Sequence, residues 1–96
     1  MQSAYLVSYD IADDGRRNQV FRTLRAFGEH LQFSVFRCEL SEVALIRLRG
    51  RLAEKINQNE DTVLLADLGP VGGRGKTAIT TLGLPYAPPG RGPVIF

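Results

Sequence analysis

Ala4-Tyr5-Leu6-Val7-Ser8-Tyr9-Asp10-Ile11-Ala12-Asp13-Asp14-Gly15-Arg16-Arg17 is the stretch from which the rest of the chain can be laid out. Six residues of strand character, rich in Tyr, Leu and Val, lead up to one carboxylate, Asp10. The run Ala4 to Ile11 predicts a central strand covered on both faces. Asp13 or Asp14 is suited to cap a helix, with Gly15 easing the turn, and two arginines then fall in the first helical turn.

Outward from there, Val20, Phe21, Leu24 and Phe27 recur at helical spacing, and Gly28 supplies a stop. Glu29 to Leu40 reads as a short strand, a tight bend near Gln32 to Ser34, then a longer strand. Ser41 is an N-cap for a second helix running to about Asn57, with Leu45, Leu48, Leu52 and Ile56 on its core face. Gly50 in mid-helix costs about 1 kcal/mol relative to alanine, so a close approach is expected there. Asp61 to Leu68 is the fourth strand. The order predicts an α+β, ferredoxin-like βαββαβ fold, an antiparallel sheet with two helices on one face.

Composition shifts after Leu68: all five prolines and seven of the ten glycines lie from Gly69 onward, and no acidic residue occurs beyond Asp67. The expected organisation is one domain over residues 1–96, with a core of 1–68. A Gly/Pro-rich loop and an added C-terminal strand, Pro93-Val94-Ile95-Phe96, then fill 69–96. That strand is suited to pair with a sheet edge of a partner subunit. So short a chain buries a modest fraction of its surface, which favours a homodimer.

With 44% hydrophobic and 23% charged residues, the composition is that of an ordinary soluble globule. No apolar run approaches the roughly 20 residues needed to cross a bilayer, and the first residues do not read as a signal peptide. One cysteine, Cys38, excludes an internal disulfide and fits the cytoplasm, where it is expected as a buried small hydrophobe. Net charge is only +2, yet nine of the twelve Lys and Arg precede residue 56, several of them grouped.

A carboxylate at a strand's end beside guanidinium groups suits metal-assisted chemistry on a phosphate ester. Mg²⁺ (or Mn²⁺) takes one or two protein carboxylates plus phosphate oxygens, so Asp10 from each of two chains would suffice; a turn cap is the structural alternative. Arg16 and Arg17 oppose the helix macrodipole unless a phosphate sits there, or unless Asp13, Asp14 or Glu29 pairs with them. Arg47, Arg51 and Lys55 at i, i+4, i+8 form a basic stripe about 12 Å long, enough for about two phosphates, or else a solvated helix face. Arg22 carries the same two readings. No aromatic interleaves with that stripe, so base stacking is not expected there. Tyr9 points to the opposite side of its strand from Asp10, for core packing, for stacking on a base or for ordering a water. His30, the sole histidine, cannot build a His-rich metal site, and Ser34 is expected to satisfy backbone at the bend.

Gly69-Pro70-Val71-Gly72-Gly73-Arg74-Gly75-Lys76-Thr77 looks like a phosphate-binding loop after a strand. However, its first glycine position holds Pro70, and the next stretch is too rich in Gly and Pro for the required helix. Nucleotide hydrolysis is not expected of it.

Tyr5-Leu6-Val7-Ser8-Tyr9-Asp10-Ile11, then Arg17, then Gln32-Phe33-Ser34-Val35-Phe36 closely resemble the second of the CRISPR-associated protein families, the small partners of the CRISPR integrase in spacer acquisition. The resemblance covers about the first 70 residues. It implies a ferredoxin-like homodimer whose two Asp10 carboxylates face each other across the axis. It also implies a metal-dependent endonuclease (phosphodiesterase) acting on single-stranded RNA or double-stranded DNA. Carried across by residue, Asp10 is the metal ligand and Tyr9, Arg17, Ser34 and Phe36 are its catalytic-site neighbours. From this chain's own charge pattern, Arg16, Arg22, Arg47, Arg51 and Lys55 are expected to join Arg17 in holding nucleic acid. Gln19 and His30 stand where relatives often carry a basic residue. The resulting expectation is a CRISPR adaptation protein with endonuclease activity, whose partners are a second copy, DNA or RNA and the integrase. Three other readings stand beside it: a non-catalytic DNA scaffold for the integrase, a ribonuclease toxin of the same fold, and a small-ligand regulatory module.

Overall fold

A computed structural model describes residues 1–84 of the chain. The strands are β1 (Ser3–Asp10), β2 (Gly28–Gln32), β3 (Val35–Leu40) and β4 (Thr62–Pro70), and the helices are α1 (Asp14–Phe27), α2 (Glu42–Lys55) and the single turn α3 (Arg74–Thr77). The sheet order is β2-β3-β1-β4 with every neighbouring pair antiparallel, which is the expected ferredoxin-like α+β arrangement. The expected C-terminal strand at Pro93–Phe96 lies outside the described residues.

Alternation along the strands sorts the two faces of the sheet. Val7, Tyr9, Phe36 and Cys38 join Val20 and Leu24 of α1 and Leu48 and Leu52 of α2 in one core, with Leu45, Ile56, Val63 and Leu65 packed against it. Leu6, Ser8 and Asp10 therefore face away from α1 and α2. β1 was expected to be covered on both faces, but Leu6 and Ser8 are only half-buried and Asp10 is exposed. The two long helices shield one side alone, as antiparallel sheets allow.

Local chemistry sets the element boundaries. The Asp13 carboxylate accepts the Arg16 amide at 2.9 Å, and the Ser41 hydroxyl accepts the Ala44 amide at 3.1 Å, capping α1 and α2. Each cap is worth about 1 kcal/mol. Gly28 ends α1, but in extended backbone and for a reason other than a left-handed turn. A Cβ there would lie 2.4 Å from the Arg37 carbonyl oxygen and 2.5 Å from Cys38 Sγ, so β3 passes too close for a side chain. At Gly50 the expected close approach is absent, since a Cβ would meet nothing within 4 Å.

The Gly-rich segment also differs from expectation. It forms one helical turn, α3, which lies against the β1–β4 end of the sheet. A Cβ on Gly75 would come within 2.6 Å of the Gly69 carbonyl oxygen and 2.9 Å of Ala4 Cβ. Arg37 Nη2 donates to the Gly75 carbonyl at 2.9 Å. The glycine that resembled part of a phosphate loop is thus used for packing. No helix among the described residues is long and apolar enough to cross a membrane.

Candidate active site

Asp10 closes β1 opposite Thr62 of β4, exposed on the face that α1 and α2 leave uncovered. The loop after it is tightly held. Arg17 folds back so that Nη1 donates to the Ile11 carbonyl at 2.9 Å, while its Nη2 pairs with the Asp14 carboxylate. On the other side, Asp61 Oδ1 accepts the Ala12 amide at 3.0 Å. The residues immediately after Asp10 are therefore pinned from two directions, which limits how far the carboxylate can wander.

Asp61 is the residue that sequence reasoning missed. Read as the first residue of a strand, it is instead the anchor of the loop before β4, with its side chain fully buried. It accepts from Arg16 Nε at 2.7 Å, Arg16 Nη2 at 3.2 Å and the Asn57 amide at 2.8 Å in addition to Ala12. The Arg16 guanidinium and the two backbone amides hold its carboxyl well below the usual carboxylate range, against the opposing effect of burial. Arg16 in turn is held firmly protonated by Asp61 and Glu60, the latter at 3.0 Å. Arg16 was expected to bind nucleic acid; its charge is taken up by these two acids. The one available signal was an Asp closing Asn57-Gln58-Asn59-Glu60-Asp61, a turn sequence that offers backbone amides to an Asx side chain.

Tyr9 points into the core, 7% exposed, its ring stacked on Phe36 with centroids 6.4 Å apart. Burial raises the phenol's pKa, and the nearby Arg17 charge opposes that shift. Ser34 sits in the β2–β3 turn and accepts the Tyr9 amide through its carbonyl at 3.1 Å. Phe36 is completely buried, so it supports Tyr9 from below without facing solvent. His30 Nε2 donates to the Phe33 carbonyl at 2.8 Å, and its ring packs against Phe21 and Phe36, with centroids 5.0 and 4.8 Å away. A carbonyl only accepts, so that nitrogen carries the proton.

The structure gathers Asp10, Tyr9, Arg17 and Ser34 at one end of the sheet. It does not bring the α2 stripe to Asp10, because α2 covers the opposite face of the sheet from that carboxylate. Arg47 and Arg51 are exposed there, Lys55 is half-buried, and the Arg51 guanidinium lies over the Phe27 ring at 5.5 Å. Arg22 is exposed on α1. Among the described residues no three or more His, Cys, Asp or Glu side chains come together as a metal cage.

Comparison with known proteins bears on this arrangement. Residues 3–70 match the family model described as CRISPR associated protein Cas2. A Geobacter sulfurreducens protein named CRISPR-associated endoribonuclease Cas2 is 43% identical over 70 residues, 73% of this chain and 74% of the relative. A Rhodospirillum rubrum protein named CRISPR-associated endoribonuclease Cas2 1 is 44% identical over 69 residues, 72% of this chain and 68% of its own. The crystal structure of Streptococcus pyogenes Cas2 superposes with a TM-score of 0.73 at 25% identity, covering 83% of this chain and 99% of that one. With the family model spanning residues 3–70 and relatives above 40% identity, this chain belongs to the Cas2 family of CRISPR-associated proteins.

Proposed function

We propose that this protein is a CRISPR-associated endoribonuclease or endonuclease of spacer acquisition, acting as a homodimer on RNA or duplex DNA. The names of its relatives supply the reaction class. The observation that carries the site assignment is Asp10, an exposed carboxylate on a braced strand end, with Arg17 fixed over the adjoining loop. One chain supplies one such carboxylate. That fits a Mg²⁺ or Mn²⁺ ion held by Asp10 together with waters, substrate phosphate oxygens or the same residue of a second copy. The metal would lower the pKa of a water and offset charge on the phosphate. Arg17 orders the loop, and its charge would help offset the negative charge of a phosphate bound at this end of the sheet. Asp61 and Arg16 keep that loop in register.

The test compares cleavage of single-stranded RNA and duplex DNA with and without Mg²⁺. The expected outcome is metal-dependent cleavage that falls by about a hundredfold in Asp10→Asn. Since Asp10 is exposed, stability should change by no more than about 0.5 kcal/mol. Undiminished cleavage by Asp10→Asn would remove it from the chemistry. The scaffold reading also has an observation in its favour, since Arg16 and Arg17 are both already paired with acids. Under that reading, Asp10→Asn leaves spacer acquisition in cells intact and the integrase still binds.

A further inference from the structure

An open groove of about 520 Å³ runs beside Tyr9, between the first turns of α1 and the β2–β3 turn. Its walls are unusual for a surface so close to a basic helix start. Phe33 stands 95% exposed at the turn and lines the groove together with Phe21, Tyr9 and Ser34. Asp14, Arg17 and Asn18 supply the polar rim. Arg17 and Asp14 pair with each other, so the rim offers donors and acceptors while carrying no net charge.

A slot of this kind suits a flat, neutral heterocycle better than a phosphate. Aromatic side chains give every base a stacking surface, and amide and carboxylate groups read base edges. Its inner wall, Tyr9, lies at the same end of the sheet as Asp10, although the two side chains project from opposite faces of β1. A strand with one base seated here would therefore have to pass round the end of the sheet to reach the carboxylate. We infer that this groove is a subsite for one unpaired nucleobase, stacked on Phe33 and hydrogen-bonded at its edge by Asn18. The inference rests on the nucleic-acid reading above and adds that the strand must be unpaired at the subsite. A base inside a duplex presents no free face to Phe33.

The test uses the full chain in EDTA, so that nothing is cleaved. A single-stranded RNA carrying 2-aminopurine and a duplex of the same length are titrated into wild type, Phe33→Ala and Phe33→Tyr. Expected are quenched 2-aminopurine emission with wild type and Phe33→Tyr, and loss of that quenching with Phe33→Ala. Single-strand affinity should fall by about 5- to 150-fold in Phe33→Ala, with duplex affinity unchanged within about twofold. Asn18→Ala should alter preference among the four bases. Equal weakening for single strand and duplex would overturn the subsite, as would a Phe33→Ala protein whose only change is its oligomeric state in sedimentation. Wild type that binds duplex but not single strand refutes the subsite and leaves the nuclease reading standing. Wild type that binds neither refutes both.

Discussion

Asp61 collects four hydrogen bonds and joins the loop after Asp10 to the loop before β4. Because its folded-state pKa is depressed, its stabilising effect is complete above about pH 4, the unfolded carboxylate's value, and is lost as pH falls toward the folded one. Urea titrations from pH 2.5 to 6 should show stability dropping more steeply with acid in wild type than in Asp61→Asn. They should also show Asp61→Asn to be less stable at pH 7 than Arg22→Ala. Parallel acid limbs would contradict the anchor role. Cys38 behaves oppositely: burial pushes its thiol up to about 11. The unfolded thiol ionises from about pH 8.5, so Cys38 contributes fully below that and its contribution fades as pH rises toward 11. At pH 8 a thiol reagent should modify Cys38 only at the rate of unfolding, and fast labelling of the native protein would contradict its burial.

At the scale of elements, two glycines in or beside helices make opposite forecasts. Gly28 sits where β3 passes within contact of its missing Cβ, so Gly28→Ala should cost about 1–3 kcal/mol through overpacking. Gly50 faces open space on α2, so Gly50→Ala should stabilise by up to about 1 kcal/mol. Urea midpoints of the two variants settle both, and a destabilised Gly50→Ala would mean that something in the assembled protein approaches that face. The α1 start is a second case. Two arginines in a first helical turn look like an invitation to an anion, yet each has a carboxylate partner within the chain. In the structure Arg16 braces Asp61, while half-exposed Arg17 lies at the groove's rim.

For the whole molecule, the relevant quantities are charge and unmatched apolar surface. Net charge is only +2, so nucleic-acid affinity must come from local groups. The observed affinity should fall linearly in log-log form with salt, with a slope of about −0.7 per phosphate contacted on a single strand. Replacing Arg47 and Arg51 should reduce the magnitude of that slope by about 1.4 only if the α2 face carries substrate, and an unchanged slope would remove α2 from the interface. Leu64, 65% exposed on the edge strand and on the same sheet face as Asp10, is the natural probe of dimer formation. Leu64→Glu should weaken a dimer that brings these faces together, as read by sedimentation velocity across a concentration series.

Much of this was legible in one dimension, because it depends on contacts between near neighbours. The strand ending at Asp10, the Asp13 and Ser41 caps, the Leu48 and Leu52 core face and the tight β2–β3 turn all come from spacing and local hydrogen bonding. Packing across long sequence separations decided the rest. Asp61 meets Ala12 from 49 residues away, Arg37 reaches Gly75 from 38, and Gly28 is required by a strand that periodicity cannot place against it. Likewise, an arginine's charge reads the same in the sequence whether it is offered to a substrate or already held by an acid brought in from the far end of the fold. Only folding assigns Arg16 to Asp61 and leaves Asp10 exposed.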